Sequence, residues 1–567
     1  MSICRSDPLI AMFLKISVLS SVFVSLCISA GADVKFTDVA DVSGIEFQHF
    51  TGATGARYMP ETMGAGCAFL DYDTDGNLDI LLANGTSLTR PNAAHTPRLY
   101  RNTGDGQFVD VTEAAGLDVS MYGMGITAAD YDNDADLDIY FTNVGENRLF
   151  RNNGDRTFTD VTESAKVGDS NWSTSATFFD ADKDGWLDLF VCNYVEWTPE
   201  TDIPCIVNLP GEMQQYRTYC TPSVYTGQSC RFYRNQGDGT FSDRTLQAGL
   251  YNPTGKSLGV TLLDYNHDGW IDLAVANDTG PNFLYRNNGD GTFTDEAVVM
   301  GIAFSETGKA RGSMGIDAAD LYNDGGTVIA IGNFSNEKIG FFYTKPGSIY
   351  FTDVAERANI GRISHRLLTF GLLFFDCDLD GALDLFCVNG HIEPEVLRYQ
   401  QHIPYAQLPS LFQHQSDGTF RDITERAGLA QASVGRGCAY GDYDNDGDLD
   451  LLVSNNGVSE DHGKVWLLRN DSKRSFNYLR VRVIGTHSNR DGIGTSVRVS
   501  VDGSVQEQMV RTGSSYCSQS EMVVTFGLGS SEVVEHLEVL WLSGKIDRYE
   551  KLKANQLIEV IEGASEK

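Results

Sequence analysis

An aspartate-rich nonapeptide recurs along this chain of 567 residues, and it constrains the fold more than any other feature. The first copy, at 71–79, reads DYDTDGNLD, and aspartate returns at positions 1, 3, 5 and 9 of later copies starting at 130, 180, 376 and 442, and at positions 1, 5 and 9 of the copy starting at 264. A seventh, degenerate copy (DLYNDGGTV) begins at Asp320. Self-similarity at spacings of about fifty to eighty residues indicates one supersecondary unit used several times, with neighbouring units burying each other's faces.

A second element follows most copies of the nonapeptide and completes the unit. It reads RNTGDGQFVDVT from Arg101 and RNNGDGTFTDEA from Arg286, with Asp-Gly chemistry typical of a tight hairpin. In the first unit the pattern predicts four short strands, at 66–71, 78–83, 98–102 and 107–112. Seven units of four strands predict an all-β fold, a seven-bladed β-propeller over residues 33–476.

The last unit offers three strands before the repeat stops near residue 476. A stray segment of the fourth-strand type (KFTDVA) lies at 35–40, near the start of the chain. We expect this segment to complete the seventh blade and so to tie the two ends of the ring together.

The nonapeptide predicts a calcium site. Four carboxylates in so short a loop repel each other unless a cation neutralises them, and oxygen ligands in a flexible loop with glycine at position 6 suit Ca²⁺. We expect side-chain ligands at positions 1, 3, 5 and 9 and a backbone carbonyl at position 7, giving about six sites. These ligands are Asp71, Asp73, Asp75, Asn77 and Asp79; Asp130, Asp132, Asp134, Asp136 and Asp138; Asp180, Asp182, Asp184, Trp186 and Asp188; Asp264, Asn266, Asp268, Trp270 and Asp272; Asp376, Asp378, Asp380, Ala382 and Asp384; and Asp442, Asp444, Asp446, Asp448 and Asp450.

Three copies depart from the pattern. Asn266 keeps an oxygen ligand but removes a charge, and Ala135 replaces the glycine of the turn. In the copy at Asp320, Tyr322 and Val328 occupy ligand positions 3 and 9, so we expect this blade-5 loop to hold no calcium.

The DxDxDGxxD loops resemble the FG-GAP (VCBS-type) repeats of integrin α-subunit propellers. After Phe476 the chain changes to alternating strand-like sequence at 477–563, including YLRVRVIGTHSNRDGIGTSVRVSVDG, which predicts a small β-rich domain and resembles the ASPIC/UnbV domain. The combination resembles the cartilage acidic protein 1 (CRTAC) family. That resemblance implies a calcium-binding propeller with an appended β domain.

Residues 1–32 are typical of a cleaved export signal: a 12-residue apolar run ends before Ala30-Gly31-Ala32. An uncleaved anchor, or a lipoprotein modified at Cys27, are the alternatives. Export would place the protein in the periplasm, at the cell surface or outside the cell, where disulfides form. Cys192, Cys205, Cys220 and Cys230 are therefore predicted to form two disulfides of undetermined pairing.

The charge and the longest loops bear on function. A net charge of −34 excludes an ordinary nucleic-acid binder, and no apolar stretch after the signal is long enough to span a membrane. The two large insertions, 193–231 and 390–411, fall between second and third strands, which places them on the face opposite the metal loops. We expect this face to bind an extracellular protein or glycan, without catalysis.

The alternative is an enzyme acting on extracellular polysaccharide through the same face. No catalytic motif is present in the sequence. Its candidate residues, predicted near the propeller axis, are His49, Glu61, Arg311, His365, His391 and Glu393.

Overall fold

The computed structural model describes residues 34–89, 95–208, 215–457, 463–473 and 476–566. The predicted export signal, 1–32, lies outside the described residues. Strands and turns dominate the described part of the chain, as the repeat pattern predicted.

Each repeat unit folds as one antiparallel sheet of four strands, which we call a blade. The first strand of the chain, β1 (Phe36–Asp38), belongs to blade 7; blade 1 consists of β2 (Cys67–Leu70), β3 (Asp79–Leu82), β4 (Arg98–Asn102) and β5 (Phe108–Asp110), and blade 2 of β6 (Gly123–Ala129), β7 (Asp138–Asn143), β8 (Arg148–Asn152) and β9 (Phe158–Asp160). Blade 3 consists of β10 (Ser173–Phe179), β11 (Asp188–Asn193), β14 (Arg231–Asn235) and β15 (Phe241–Asp243), with an inserted hairpin of β12 (Ile206–Asn208) and β13 (Gln215–Arg217); blade 4 consists of β16 (Ser257–Leu263), β17 (Asp272–Asn277), β18 (Phe283–Asn287) and β19 (Phe293–Asp295). Blade 5 consists of β20 (Ser313–Ala319), β21 (Val328–Asn333), β22 (Gly340–Tyr343) and β23 (Thr352–Asp353); blade 6 of β24 (Thr369–Phe375), β25 (Asp384–Asn389), β26 (Ser410–His414) and β27 (Phe420–Asp422); and blade 7, besides β1, of β28 (Gly435–Gly441), β29 (Asp450–Asn455) and β30 (Trp466–Asn470).

The blades pack side by side through their first strands. Strands β2, β6, β10, β16, β20, β24 and β28 contact one another in chain order, and β28 also contacts β2. This circular order of contacts is the arrangement of a β-propeller, with the first strands innermost. Most first-strand residues are buried, so the core lies between neighbouring blades rather than in one central layer.

Strand β1 occupies the position expected from the sequence. Phe36 lies opposite Asn470 and Asp38 opposite Leu468, so β1 pairs antiparallel with β30 as the fourth strand of blade 7. The N-terminal strand therefore connects the first and last parts of the repeat region by main-chain hydrogen bonds.

An asparagine at the end of the third strand joins each of five blades to a neighbour. Asn102 Nδ2 donates to the Tyr443 carbonyl of blade 7 over 2.8 Å, and Asn152 Nδ2 donates to the Tyr72 carbonyl of blade 1 over 2.8 Å. Asn235, Asn287 and Asn470 make the equivalent bonds. Each is a buried hydrogen bond worth about 0.5–1.5 kcal/mol. We call these residues the clasp asparagines.

Helices are short. Four α-helices of one turn follow fourth strands: α1 (Thr112–Ala115), α2 (Thr162–Ala165), α3 (Ala297–Met300) and α4 (Gly361–Ser364). Single 3-10 turns occur at Met59–Thr62, Pro222–Val224, Val396–Arg398 and Ala564–Glu566. Among the described residues, no helix has the length and apolar character needed to cross a bilayer.

The C-terminal domain is a small β structure of two sheets. Its strands are β31 (Asn477–Ile484), β32 (Ser496–Val501), β33 (Ser504–Met509), β34 (Val524–Gly529), β35 (Val533–Leu540), β36 (Ile546–Lys553) and β37 (Gln556–Ile561). One sheet has the order β34-β31-β37, with β31 and β37 parallel, and the other has the order β33-β32-β35-β36. Alternate residues of β31 and β32 are buried between the sheets, as the period-2 pattern predicted.

The connection from β33 to β34 enters the centre of the propeller. We call residues 510–521 the axial segment. Ser515 exchanges backbone hydrogen bonds with Ile316 of blade 5, and Gln519 does the same with Cys67 and Phe69 of blade 1. Tyr516 is completely buried, and its hydroxyl donates to the Met63 carbonyl over 3.1 Å. The C-terminal domain thus fills the channel that the inner strands surround.

Two disulfides were predicted among Cys192, Cys205, Cys220 and Cys230, and for one pair this prediction was wrong. Cys205 and Cys220 form a disulfide, but Cys192 and Cys230 are buried free thiols. The reason is their position: Cys192 lies within β11 and Cys230 directly before β14, so both belong to the packed interior of blade 3. The remaining described cysteines are also buried free thiols.

Candidate metal centres

The first aspartate of the nonapeptide folds the loop by accepting two backbone hydrogen bonds. In blade 1 the Asp71 carboxylate accepts the Asp75 and Gly76 N–H groups, each over 3.0 Å. Gly76 has φ of +85°, the left-handed region that favours glycine. Ala135, which replaces this glycine in blade 2, has the same φ of 85° and so adopts a left-handed conformation that is uncommon for a residue with a side chain.

The aspartate at position 9 performs a structural task that the sequence did not reveal. Asp138 Oδ2 accepts the Tyr131 N–H over 3.3 Å, and Oδ1 accepts the Asn152 N–H over 2.8 Å. The same pair of bonds is made by Asp79, Asp188, Asp272, Asp384 and Asp450. These carboxylates therefore join the loop to the third strand of their own blade.

The aspartate at position 3 is where the loops lack partners. At this position, buried carboxylate oxygens without a hydrogen-bond donor among the described residues belong to Asp73, Asp132, Asp182 and Asp378. Asp73 forms an ion pair with the Arg156 guanidinium at 3.1 Å. An unpartnered buried carboxylate oxygen is costly, and a cation would satisfy it.

The ligand oxygens are close enough to share one cation. In the loops of blades 1, 2, 3 and 6, three carboxylates offer oxygens that lie within 4.8 Å of one another. The donor set contains hard oxygen atoms, which suit Ca²⁺. These residues fit a divalent cation held by positions 1, 3 and 5 or 9, with charge neutralisation as the chemistry that it supplies.

Burial and mutual repulsion raise the pKa values of these carboxyl groups. Burial, with further contributions from neighbouring carboxylates, raises the pKa of Asp79 to about 8 and that of Asp138 to about 9. The pKa of Asp180 and that of Asp442 rise to about 7, again mainly because of burial. The loops are thus unfavourable places for several ionised carboxylates, and a bound cation removes that penalty.

The blade-5 loop keeps the fold of the others without their ligands. Asp320 accepts the Asp324 and Gly325 N–H groups over 3.1 and 2.9 Å, as in the intact loops. At position 3 the Tyr322 ring packs against Tyr343 and His414, and Asp324 accepts the Tyr343 hydroxyl over 2.6 Å. An aromatic cluster therefore takes the place of the carboxylate pair. That this loop holds no calcium stays a prediction.

The structural role of position 9 can be tested without metal. We expect Asp138→Ala to lower the free energy of unfolding by about 1–3 kcal/mol for each of the two backbone donors left unpaired. Urea denaturation in excess chelator measures this loss. Asp134→Ala in the same loop is the matched control, because its carboxylate accepts only the exposed Asp136 N–H. Equal losses for the two variants in chelator would contradict the assignment.

The opposite face is covered by the two long insertions, which meet above the axis. Thr218 of the blade-3 insertion donates to Glu393 of the blade-6 insertion over 2.7 Å. The Arg398 guanidinium lies over the Tyr216 ring at 4.6 Å. Arg57 lies 3.5 Å from Glu393 as an ion pair. Insertions from blades that are not neighbours in the ring therefore form one continuous surface.

The six polar residues predicted near the axis do not form one cluster. Glu61 is buried and accepts the Tyr219 hydroxyl over 3.0 Å, and the Glu393 N–H donates to His391 Nδ1 over 3.0 Å. Arg311 instead pairs with Glu306 and Asp353 in blade 5, and His365 is exposed.

Burial and an internal arginine keep the two axial histidines neutral. Burial, with a smaller contribution from Arg436, lowers the pKa of both His49 and His391 to about 4. Arg436 is completely buried and donates to the backbone carbonyls of Thr62, Gly390 and Gly435. These groups lie beneath the two insertions rather than in an open central site.

Fold and loops together define the class: a β-propeller with aspartate loops on one face and a β domain inserted along its axis. The chain belongs to the FG-GAP-like repeat family, whose profile matches residues 71–141, 136–191, 223–275, 264–331 and 376–453, more than half of the chain. Residues 485–567 match the ASPIC and UnbV family. The resemblance predicted from the sequence is confirmed.

Curated relatives carry the name cartilage acidic protein 1. The chain is 26% identical to the Homo sapiens protein over 311 residues, which is 54% of this chain and 43% of that protein. It is 27% identical to the Mus musculus protein over 282 residues, 48% of this chain and 40% of that protein. The match thus spans less than half the length of these relatives.

Similar solved structures include an Agrocybe aegerita lectin that recognises non-reducing terminal N-acetylglucosamine, with a TM-score of 0.35, 17% identity, and coverage of 63% of this chain and 79% of that one. The rhamnogalacturonan lyase YesW has a TM-score of 0.35 and 10% identity over 72% of this chain and 71% of that one. TM-scores this low do not support any inference about the present chain.

Proposed function

We propose that the protein is a secreted or cell-surface, calcium-binding propeller that holds an extracellular ligand without catalysing a reaction. The relatives and the FG-GAP repeats support an extracellular ligand-binding propeller family. Calcium is supported by the buried position-3 oxygens that lack donors. Export is supported by the leader-like segment 1–32 and by the disulfide between Cys205 and Cys220.

The main support for ligand binding is the apolar surface of the two insertions. Large apolar side chains that are normally buried are exposed on both of them: Ile203, Ile206 and Val224 in the blade-3 insertion, and Leu397 and Tyr399 in the blade-6 insertion. Because the insertions touch each other, these side chains belong to one face. Grouped exposed apolar residues among polar ones are typical of protein-binding sites. This favours a protein over a glycan as the ligand.

The metal loops contribute to binding indirectly. They stiffen one rim of the blades, while the insertions extend from the other rim, so a rigid scaffold presents the recognition surface. The insertions are also fixed locally, by the Cys205–Cys220 disulfide and by the Thr218–Glu393 hydrogen bond. A surface ordered before binding loses less entropy on association.

The binding proposal is tested with a double substitution on this face. Ile206 is 56% and Leu397 is 52% exposed, so Ile206→Asp/Leu397→Asp changes the surface without disturbing packing. We expect this variant to lose at least tenfold in affinity for an extracellular-matrix preparation, measured by surface binding of purified protein. Val298→Asp/Val299→Asp on α3, 68% and 67% exposed, is the matched control and should bind normally.

Two enzymatic treatments of the matrix distinguish a protein ligand from a glycan ligand. Protease treatment of the matrix should abolish binding, whereas glycosidase treatment should leave it unchanged if the ligand is a protein. Binding that survives the double substitution would refute the proposed face, and release of a soluble product from matrix polysaccharide would refute the absence of catalysis.

A further inference from the structure

A cleft of about 420 Å³ lies between the metal-loop face of the propeller and the C-terminal domain. The axial segment contacts several blades at this level: Gln519 bonds to Ala128 of blade 2, Thr512 to Phe178 of blade 3, and Arg511 to Ala318 of blade 5. The residues two positions before the metal loops of blades 4 to 7 also line the cleft; they are Leu262, Ala318, Phe374 and Tyr440. The cleft therefore lies beside the axial segment, next to blades 4 to 7.

The wall of the cleft is mixed, and both domains contribute apolar side chains to it. The propeller contributes the four inner-strand residues just named, and the C-terminal domain contributes Met509, Trp541 and Leu542. The volume lies within the usual range of small-molecule sites, which combine apolar walls with a few polar groups that orient the ligand. The cleft is therefore suited to the apolar body of a small organic molecule.

Some charged side chains of the cleft have an oppositely charged partner or accept backbone hydrogen bonds, and others do not. Glu507 pairs with Arg498 over 2.8 Å, and Asp264 and Asp320 accept backbone N–H groups of their own loops. Two lysines at the edge differ: Lys183 lies over the Trp270 ring at 4.2 Å, and Lys545 contacts His487 Nδ1 at 3.1 Å.

Neither lysine forms an ion pair with a carboxylate of the described residues. In a chain of net charge −34, two cations without acidic partners at one cleft are a local positive excess.

Of the metal loops that the cleft touches, those of blades 4 and 5 have the fewest carboxylates. The cleft touches the blade-4 loop, where Asn266 replaces aspartate, and the blade-5 loop, where Tyr322 and Val328 do. Thr327 of the degenerate loop lines the cleft directly. Loss of acidic residues next to the cleft lowers the repulsion that an anion would meet there.

We propose that this cleft binds a small amphiphilic anion, with its apolar body against Leu262, Phe374 and Leu542 and its anionic group between Lys183 and Lys545. The lysines come from different domains, so the bound anion also links the C-terminal domain to the propeller. This site is separate from the ligand-binding face proposed above, and the proposal does not depend on that face.

Titration of the calcium-loaded full-length protein with 8-anilinonaphthalene-1-sulfonate tests the site, because this probe fluoresces strongly in apolar surroundings. We expect saturable binding of one probe per chain. Dodecanoate should displace the probe at least tenfold more effectively than dodecanol, since only the former carries the charge. Thr327→Trp, which fills the cleft, should abolish binding.

Lys183→Gln/Lys545→Gln should weaken probe binding at least fivefold, with an unchanged melting temperature. Lys309→Gln/Lys345→Gln, two blade-5 lysines outside the cleft, is the matched control and should bind as the parent does. Absence of saturable binding, equal displacement by dodecanol, or equal weakening by the two lysine pairs would overturn the proposal. Should Thr327→Trp fail to fold, the lysine pairs decide the outcome.

Discussion

Removal of calcium is expected to lower the melting temperature of the protein by about 14 °C. A ligand at one hundred times its dissociation constant stabilises a fold by about 2.7 kcal/mol per site. Six such sites give about 16 kcal/mol, and unfolding of a chain of this size changes the entropy by about 1.2 kcal/mol/K, at about 2.1 cal/mol/K per residue. Differential scanning calorimetry in calcium and in excess chelator measures the shift.

Single-loop variants test whether the nonapeptides are the sites. We expect Asp132→Ala, which removes a position-3 ligand candidate with an unpartnered oxygen, to reduce the calorimetric calcium stoichiometry by one. Asp324→Ala in the degenerate blade-5 loop is the control and should leave the stoichiometry unchanged, because Tyr322 and Val328 have already replaced two ligands there. Equal stoichiometries for the two variants, or a melting temperature that chelator does not change, would contradict the calcium assignment.

Calcium loss should also affect the C-terminal domain, because that domain rests on the metal loops. Arg480 Nη1 donates to Asp442 Oδ2 over 2.7 Å, and the Asp130 N–H donates to Asp491 Oδ2 over 2.7 Å. Asp442 and Asp130 are the first residues of the blade-7 and blade-2 loops. A disordered loop would remove the docking partner, so we expect both regions to unfold together in chelator.

The sequence predicted the blades well because the information is local and repeated. The loop residues, the hairpin Asp-Gly and the strand alternation all lie within one unit, and each copy supports the interpretation of the others. The fourth strand of blade 7 was also predictable, since KFTDVA at 35–40 matches the pattern of other fourth strands and lacked a partner in its own unit.

Three features escaped the sequence because they depend on contacts between units. The clasp asparagines recur after arginine in the RN dipeptide, yet that motif predicts only a hairpin; their bonds to the preceding blade follow from ring geometry. The two backbone hydrogen bonds that Asp138 accepts cannot be distinguished from metal ligation in the sequence, because both roles need a carboxylate at position 9. The positions of Cys192 and Cys230 depended on where β11 and β14 begin and end.

The axial segment is the clearest case of such a limit. Its sequence at 510–521, VRTGSSYCSQSE, is polar and shows neither strand alternation nor a motif. Its polar atoms are satisfied by inner-strand backbone groups: Gln519 accepts the Ala128 N–H over 2.8 Å and donates to its carbonyl over 2.9 Å. A polar segment can be buried only when such partners surround it, and those partners come from blades far away in sequence.

A buried ion pair holds the segment in place, and breaking that pair is expected to destabilise the protein strongly. Arg511 Nη2 lies 2.7 Å from Asp317 Oδ1, and Arg511 also donates to the Ala318 carbonyl over 2.6 Å. Asp317 is fully buried in β20. Arg511→Met leaves this carboxylate buried without its counter-charge, so we expect a loss of about 3–5 kcal/mol in the free energy of unfolding.

The double variant Arg511→Met/Asp317→Asn distinguishes an unpaired charge from simple loss of packing. Removing both charges should recover part of the stability, because asparagine can still accept the Phe374 N–H that Asp317 now accepts over 2.8 Å. Arg498→Met is the control in the same domain: it breaks an ion pair with Glu507 at a more exposed site, where such pairs contribute at most about 1 kcal/mol.

Urea unfolding in saturating calcium measures all three variants. If the axial segment holds the two domains together, the single variant should also unfold in two transitions, the C-terminal domain separating from the propeller before the blades melt. A loss for Arg511→Met no larger than that for Arg498→Met would mean that the axial pair is not a lock. No recovery in the double variant would mean that lost packing, rather than an orphaned carboxylate, accounts for the effect.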